Sequence, residues 1–511
     1  MTRIKRLRSL ALATLCALTG SQAQARVNPP PPNFLIILAD DLGQDALRCY
    51  NPKGQVAVTP NIDRLCRQGV KFTNAWSQPS CTPSRTALLT GRYGFRTGSL
   101  TPAGPLPGFV QRPEAPKQLA DNDLLGAAVD SGRMKLPDNA PFMVIRRTGK
   151  PPADLVFGEG PRDAEVTLPQ ALRRLPGSNY ATAAIGKWHL SGPRPDLAEH
   201  PARLGFDHFA GGLLGSVENY YYHRRIVDGQ DRGWSTHYAT SQQVDDARDW
   251  IAGRGTAKPW FLWLALNAPH DPYHKPPNAL ISPASQALDP AGITPANAQL
   301  YHRAMIEALD HEIGRLLDGL DKAAARRTYI IFLGDNGTVG PLAQPPFQPH
   351  QGKGSMYQGG INAPMIVYGP GVRARTERAM VNFVDLFPTI LAMAGSGQPA
   401  TGASAPNLDG VSFAGLLAGR GSRGVRPFNF AEQAGFMPTG YKREVAVSDG
   451  RFKLIVNEVD GREQLFDLAR DPYERAELIG KSSPGGSPGR WQAALRRLRL
   501  AIRDMRTGKG A

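Results

Sequence analysis

Four apolar runs, each ending on polar side chains, constrain the fold of this chain more than any other feature. They are NFLIILADD (33–41), YATAAIGKWH (180–189), WFLWLALNAPH (260–270) and TYIIFLGDN (328–336). Each is continuously apolar over the length of a strand, which is typical of a strand buried on both faces of a parallel sheet. Open parallel α/β sheets bind ligands at the carboxyl ends of their strands. The sequence therefore predicts a functional site along one edge of a buried sheet.

Helical patterns lie between these runs, at 59–69, 166–175, 241–253 and 298–321. This alternation favours an α/β fold with a large, doubly wound, mostly parallel sheet flanked by helices. After about residue 420 the pattern changes. The segment 443–457 predicts a hairpin that turns at Asp449-Gly450, and 491–505 predicts an amphipathic helix. We therefore expect a small C-terminal antiparallel sheet with a helix, docked on the main domain.

The chain of 511 residues divides by composition into a leader, a large domain and a small one. We predict a signal peptide at 1–25, a catalytic α/β domain at 27–420 and a small α+β subdomain at 421–511. Within the large domain, residues 101–163 are rich in Pro, Gly and Ala and show little periodicity. This composition predicts a long surface insertion beside the site, which bears on substrate size.

The N-terminus has the layout of a secretory signal. MTRIKRLR is basic, SLALATLCALTG is apolar but too short to span a bilayer, and SQAQA offers cleavage after Ala25 or after Ala23. A membrane anchor is the alternative. Because no later stretch reaches transmembrane length, we predict a periplasmic or secreted protein without stable membrane insertion.

The formal net charge of +16 favours acidic partners. Export argues against nucleic acid, so a sulfated or otherwise acidic extracellular substrate suits the charge better. A scattered, solvated excess of arginine accounts for it equally well.

One cysteine of the chain has no predicted disulfide partner. Of the four cysteines, Cys16 lies in the predicted signal peptide, and Cys49 can pair with Cys66. Disulfides persist in oxidising compartments. Cys81 would then be a free thiol in an oxidising compartment, and its presence there needs an explanation.

Two pairs of hard oxygen ligands end two of the predicted strands, at Asp40-Asp41 and at Asp335-Asn336. One such pair alone is more often a turn or a helix cap. Three carboxylates and an amide oxygen at the ends of two similar strands suit Ca²⁺ or Mg²⁺ rather than a soft metal.

The stretch SCTPSRTALLTG (80–91) predicts a short helix that begins near Cys81. Pro83 falls in its first turn and Gly91 just past its end. Cys81 and Arg85 are four residues apart and therefore share one face. A helix N-terminus favours negative charge, so the site suits an anionic group at residue 81 and an anionic substrate beside it. For a cysteine taken alone, a structural role is the alternative.

CTPSRTALLTGR resembles the sulfatase signature, in which a maturation enzyme oxidises the cysteine of C-x-P-S-R to formylglycine. Further blocks resemble the same family in the same order: PNFLIILADDLG, TPNIDRL, GKWHL, NAPHDPY, GDNGT, GKGSMYQGGINAPMIV, DLFPTILAMAG, LDGVSF and LFDLARDPYE. The resemblance implies an alkaline-phosphatase-like fold and an exported, arylsulfatase-like sulfuric ester hydrolase. It implies two partners, the formylglycine-generating enzyme and a sulfated small molecule or carbohydrate as substrate.

The same resemblance implies the metal ligands. They match Asp40, Asp41, Asp335 and Asn336, usually around calcium, and a formylglycine at position 81 would complete the shell. Asp335 would also act as the base that activates the attacking hydroxyl.

The remaining pocket residues of the family match Arg85, Lys187, His189, His270 and Lys353. By the resemblance, Arg85 stabilises the hydrated aldehyde, and Lys187 and Lys353 hold the sulfate oxygens. His189 binds and then deprotonates the second hydroxyl of the hydrate, and His270 protonates the leaving alcohol.

Some features depart from the family pattern or leave alternatives open. Gln358 stands where the family often has Glu, and His350 lies close enough to Lys353 to compete for the pocket. The tyrosines at 220–222 line the pocket or pack in the core. The alternative activity is hydrolysis of phosphonate or phosphate esters by an enzyme of the same superfamily. The non-enzymatic alternative is an inactive protein that binds polyanions.

Overall fold

The fold is built around β1 (Asn33–Ala39), the first of the apolar runs. The computed structural model describes residues 31–103, 160–191, 196–255, 258–395, 408–420, 425–437, 440–479 and 488–507. The predicted signal peptide and residues 104–159 of the predicted insertion lie outside the described residues.

The other strands follow in chain order. They are β2 (Val70–Phe72), β3 (Ala75–Trp76), β4 (Ala181–Lys187), β5 (His208–Gly212), β6 (His223–Val227), β7 (Gln230–Ser235), β8 (Trp260–Leu266), β9 (Thr328–Gly334), β10 (Met365–Tyr368), β11 (Arg375–Glu377), β12 (Val381–Asn382), β13 (Asn429–Met437), β14 (Gly440–Ser448), β15 (Phe452–Asn457) and β16 (Glu463–Asp467).

The longer helices are α1 (Pro60–Gln68), α2 (Cys81–Thr90), α3 (Leu168–Arg173), α4 (Ala239–Ala252), α5 (Ala298–Asp318), α6 (Leu386–Met393) and α7 (Pro488–Thr507). Single helical turns occupy Gln44–Ala46, Gly94–Thr97, His200–Arg203, Asn278–Leu280, Pro283–Gln286, Lys322–Ala325, Gly340–Leu342, Pro349–Gln351, Gln358–Ile361, Phe383–Asp385 and Ala414–Leu417.

The large sheet of the described residues has ten strands in the order β11-β2-β10-β9-β1-β8-β4-β5-β6-β7. Its centre, β9-β1-β8-β4-β5, is parallel throughout. Strand β10 pairs antiparallel with β9, and β6 and β7 continue antiparallel from β5. The predicted α/β fold is confirmed: the four apolar runs supply four adjacent strands, and antiparallel pairs extend the sheet on both sides.

Both faces of β1 are buried, because helices cover the sheet on both sides. Phe34, Ile36 and Leu38 pack in the core that also holds α2, α3 and α6. The alternate residues Leu35 and Ile37 pack in the opposite core with α1, α4 and α5. Burying one such side chain stabilises the fold by about 1.5–3 kcal/mol. This double burial explains why the run is continuously apolar rather than alternating.

The C-terminal sheet is an antiparallel meander of β13, β14, β15 and β16. Its hairpin turns at Asp449-Gly450 as predicted, and Gly450 adopts a φ of 90°. Helix α7 packs Leu495 and Leu498 against the apolar face of this sheet. The small antiparallel sheet and its helix are therefore confirmed, whereas the domain boundary at residue 420 stays a prediction.

Cys49 and Cys66 form a disulfide, as their pairing in the sequence suggested, and it joins the loop after β1 to α1. Cys81 is free and buried. Within the described residues, no helix is both long and apolar enough to cross a membrane.

Candidate active site

The site lies where the central strands end. Asp40 follows β1, Lys187 ends β4, and Asp335 follows β9. Because these strands are parallel and close in the sheet, their last residues meet at one edge. Asp40, Asp41, Asp335 and Cys81 each offer one ligand atom, and these atoms all lie within 4.8 Å of one another.

The backbone at Asp41 brings two consecutive carboxylates to the same side. Successive side chains of a strand point to opposite faces. Asp41 instead adopts a left-handed conformation with φ of 64°, which costs about 1–2 kcal/mol for a residue with a Cβ. Its amide donates to Asp335 Oδ1 at 3.1 Å, and its Oδ1 accepts from Asn336 Nδ2 at 2.9 Å. These bonds hold the turn in place.

Each carboxylate of the site contacts at least one cationic side chain. The pairs are Lys187 Nζ with Asp40 Oδ2 at 2.5 Å, Lys353 Nζ with Asp41 Oδ2 at 2.8 Å, and Arg85 Nε and Nη2 with Asp335 Oδ2 at 3.0 and 2.9 Å. All of these groups except Lys353 are almost completely buried. The site is therefore a compact, largely buried set of compensated charges.

The electrostatic surroundings shift the pKa values of two of the carboxylates in opposite directions. Burial and the nearby charge of Asp40 raise the pKa of Asp335 above its usual value, although Arg85 opposes this. Burial alone would raise the pKa of Asp41 too, but Lys353 and His270 outweigh it and hold the pKa well below the usual range. Asp41 is thus a permanent anion, and Asp335 is the carboxylate better suited to accept a proton.

Two oxygen atoms of the site have no hydrogen-bond partner among the described residues, Asp40 Oδ1 and Asn336 Oδ1. Leaving a buried acceptor unsatisfied costs about 1–3 kcal/mol. A hard divalent cation bound between the two predicted ligand pairs would satisfy both atoms. Carboxylate and amide oxygens are the ligands that calcium and magnesium prefer, so the residues fit such an ion.

Cys81 is the first residue of α2, and its Sγ lies 3.5 Å from Lys187 Nζ. Burial raises the pKa of this thiol to about 12, although Lys187 and Lys353 favour the thiolate. The thiol is therefore protonated near neutral pH and is a poor nucleophile in its unmodified form. Gly91 ends the helix in the left-handed conformation, as the sequence predicts.

The two predicted histidines border the same site in different states. Burial and the charge of Lys187 lower the pKa of His189 well below 6.5, so its ring is neutral. Its Nε2 lies 2.8 Å from the carbonyl oxygen of Ala103, and its Nδ1 has no partner among the described residues. Its imidazole can therefore accept a proton at Nδ1 when Nε2 carries the hydrogen.

His270 is placed as a proton donor. Its Nε2 lies 3.6 Å from Asp41 Oδ2, and its Nδ1 lies 2.7 Å from Asp271 Oδ1. Burial would lower the pKa of His270, but Asp40 and Asp271 raise it above the usual value. Asp271 was missed in the sequence, although its position directly after His270 in NAPHDPY was a usable signal.

The structure places the predicted site residues together and gives the contacts of Lys353, Tyr220 and Gln358. Lys353 contacts Asp41, whereas the His350 ring lies edge-on against Tyr357. Tyr220 is buried and donates its hydroxyl to the His270 carbonyl at 2.8 Å, so it packs in the core and supports His270. The backbone amide of Gln358 donates to Glu474 Oε2 at 2.5 Å.

Thr82 is a second residue that the sequence did not single out. Its hydroxyl donates to the His189 carbonyl at 2.9 Å and accepts from the Ala103 amide at 2.8 Å. It therefore ties the first turn of α2 to the segments that hold the His189 ring.

The chain was compared with known families, curated proteins and solved structures. The family model described as Sulfatase matches residues 32–122 and 138–396, and a model described as N-sulphoglucosamine sulphohydrolase, C-terminal, matches residues 350–495. Arylsulfatase J of Mus musculus is 29% identical over 71% of this chain, which spans 52% of that protein. Steryl-sulfatase of Mus musculus is 27% identical over 93% of this chain and 84% of that protein.

Among solved structures, Ps i-CgsB superposes with a TM-score of 0.68 at 23% identity, covering 94% of this chain and 93% of that one. A second structure of that protein is a complex with k-i-k-neocarrahexaose. At this identity the likeness shows the fold alone. The family model covers more than half of the chain and includes the whole set of strand-end residues. The chain therefore belongs to the sulfatase family, whose enzymes are sulfuric ester hydrolases.

Proposed function

We propose that this chain hydrolyses sulfate monoesters with a formylglycine made from Cys81. The observation that carries the proposal is the placement of residue 81: it starts α2, within 4.8 Å of three carboxylates and 3.5 Å from Lys187. A protonated, buried thiol is a poor nucleophile, whereas a hydrated aldehyde at the same position would offer two hydroxyl groups.

Asp40, Asp41, Asp335 and Asn336 would hold the divalent cation, which we propose to be Ca²⁺, with Mg²⁺ as the alternative. The bound ion would supply Lewis-acid polarisation of the sulfate group. Asp40 Oδ1 and Asn336 Oδ1, which have no hydrogen-bond partner among the described residues, support this assignment.

The chain's own side chains account for binding the sulfate group. Lys187 and Lys353 converge on adjacent carboxylates and would hold the sulfate oxygens, where fixed cations stabilise the charge that develops during transfer. Arg85 would hold the hydrate in place, because its guanidinium is fixed by Asp335 and by the Lys187 carbonyl.

Proton transfers are assigned to three residues. Asp335, with its raised pKa, would take the proton of the attacking hydroxyl. His270 would give a proton from Nε2 to the ester oxygen as the sulfur–oxygen bond breaks, so the alcohol leaves neutral. His189 Nδ1, which has no partner among the described residues, would take the proton of the second hydroxyl as the carbon–oxygen bond to sulfate breaks. Sulfate then departs, the aldehyde returns, and water adds to it to restore the hydrate.

The proposed substrate is a sulfated small molecule or a sulfated carbohydrate. The curated relatives include a steryl-sulfatase, and Ps i-CgsB was solved with an oligosaccharide. We also propose that the N-terminal signal exports the chain to the periplasm or beyond, and that a formylglycine-generating enzyme matures it.

The test compares hydrolysis of an aryl sulfate with that of the matching aryl phosphate and phosphonate by the purified protein. We expect the sulfate ester to be hydrolysed with the highest kcat/KM. Faster cleavage of the phosphorus esters would favour the alternative activity. The mass of the tryptic peptide that contains residue 81 then decides the nucleophile, since an unmodified thiol in active protein contradicts the proposal.

A further inference from the structure

A fully buried ion pair lies outside the catalytic cluster, in the C-terminal part of the chain. Lys453 Nζ and Glu474 Oε1 are 2.6 Å apart, and neither side chain is exposed. Lys453 also lies 5.1 Å from the centre of the Trp76 ring. Desolvation often cancels the attraction of such a pair, so stability alone explains its presence poorly.

The Glu474 carboxylate reaches the segment that carries Lys353. We call residues 351–358 the Lys353 segment. Glu474 Oε2 accepts from the amide of Gln358 at 2.5 Å, at the end of this segment. At its beginning, Gln351 Nε2 donates to the carbonyl oxygen of Tyr473 at 2.8 Å. Two consecutive residues of the C-terminal part therefore hold both ends of the Lys353 segment.

The middle of the segment is held from the same side. The carbonyl oxygen of Gly354 accepts from Gln433 Nε2 at 3.1 Å and from Lys442 Nζ at 2.9 Å. Gln433 belongs to β13 and Lys442 to β14. The Lys353 ammonium contacts Asp41 at 2.8 Å. It thus enters the site on a segment whose outer side is bonded to the C-terminal sheet and the loop after it.

We propose that Glu474, which pairs with Lys453 in the interior, is a positioning residue for Lys353. By fixing the amide of Gln358, it holds the Lys353 segment so that the ammonium stays at the site. The inference rests on the proposed function in one respect, namely that Lys353 binds the sulfate group.

The test uses two variants without the buried charges that differ in one acceptor. Lys453→Met/Glu474→Gln keeps an oxygen that can accept from the Gln358 amide, and Lys453→Met/Glu474→Leu removes it. We expect the Leu variant to lose about 10- to 100-fold in kcat/KM on an aryl sulfate, because small misplacements of a catalytic group have effects of this size. The Gln variant should stay close to the wild type in kcat/KM, and the Leu variant should have the lower thermal midpoint, because its Gln358 amide loses its acceptor.

Two further measurements separate positioning from a general structural role. In a Lys353→Ala background, Glu474→Leu with Lys453→Met should cause no further loss, because coupled residues are not additive. Hydrogen exchange of the Gln358 and Lys353 amides should be faster in the Leu variant than in the Gln variant. Equal exchange in both, or an additive loss with Lys353→Ala, would overturn the proposal. Exchange needs no turnover, so it decides the positioning even if the wild type proves inactive on sulfate esters.

Discussion

At the scale of single residues, the reaction depends on what occupies position 81. We predict that Cys81→Ala lowers kcat by about 10⁴-fold or more, as loss of a covalent nucleophile does in other hydrolases. Its thermal midpoint should stay near that of the wild type, because the side chain removed is small. Turnover of an aryl sulfate measures the first effect and calorimetry the second. Full activity in this variant would refute the assignment of residue 81 as the nucleophile.

The hard oxygen atoms beside residue 81 lead to a second prediction, for metal removal. Chelation should abolish turnover and lower the thermal midpoint, since it leaves Asp40 Oδ1 and Asn336 Oδ1 unsatisfied. Added calcium or magnesium should restore both. In Asn336→Ala, the calcium concentration for half-maximal activity should rise by at least about 10–100-fold, the usual effect of losing even an outer-shell partner. Turnover that is indifferent to chelation would rule out the metal site.

At the scale of elements, α2 positions both Cys81 and Arg85, and its C-terminal glycine has no room for a side chain. Gly91 has a φ of 67°, and an added Cβ would lie 2.8 Å from Leu408 Cδ2 and 2.9 Å from Phe387 Cβ. Gly177 has nearly the same φ, 68°, but open space around it. Replacing either by Ala costs the left-handed strain of about 1–2 kcal/mol.

We predict that overpacking lowers the free energy of unfolding of Gly91→Ala by a further amount of about 1–3 kcal/mol. Gly177→Ala should not show this additional loss. Denaturant unfolding of both variants measures the difference. Gly91→Ala should also lower turnover per folded molecule, because a displaced α2 misplaces the nucleophile. Equal destabilisation by the two substitutions would show that the helix end can shift without cost.

At the scale of the whole molecule, the disulfide stabilises the fold without taking part in the site. Cys49 and Cys66 are 17 residues apart. Closing a loop of this length in the unfolded chain is worth about 3 kcal/mol. We predict that Cys49→Ser/Cys66→Ser lowers the free energy of unfolding by about that amount and leaves kcat unchanged. Denaturant unfolding and aryl sulfate turnover test the two parts; a loss of kcat would show that the loop after β1 orients Asp40 and Asp41.

Much of the centre of the molecule was predictable from local pattern. Strands buried on both faces must be continuously apolar, so this pattern predicts β1, β4, β8 and β9. The polar residues at their ends mark the edge of the sheet that holds the site. The helix at Cys81 was equally readable, because a proline in its first turn and a glycine after its end are local signals. The direction of the strands at the sheet margins was not, since a short run such as β10 carries no sign of whether it pairs parallel or antiparallel.

The sequence by itself determined which side chains end the buried strands and where the helix of residue 81 begins and ends. The structure was needed to show that Cys49 pairs with Cys66 and leaves Cys81 free. Only the tertiary structure decided which cation faces which carboxylate, that Asp41 turns left-handed against Asp335, and that Glu474 holds the segment of Lys353. The apolar periodicity and the residues that end a helix reflect interactions between residues only a few positions apart in the chain. The bond from the Asp41 amide to Asp335 spans 294 positions, and such contacts depend on strand order and on the packing of both faces together.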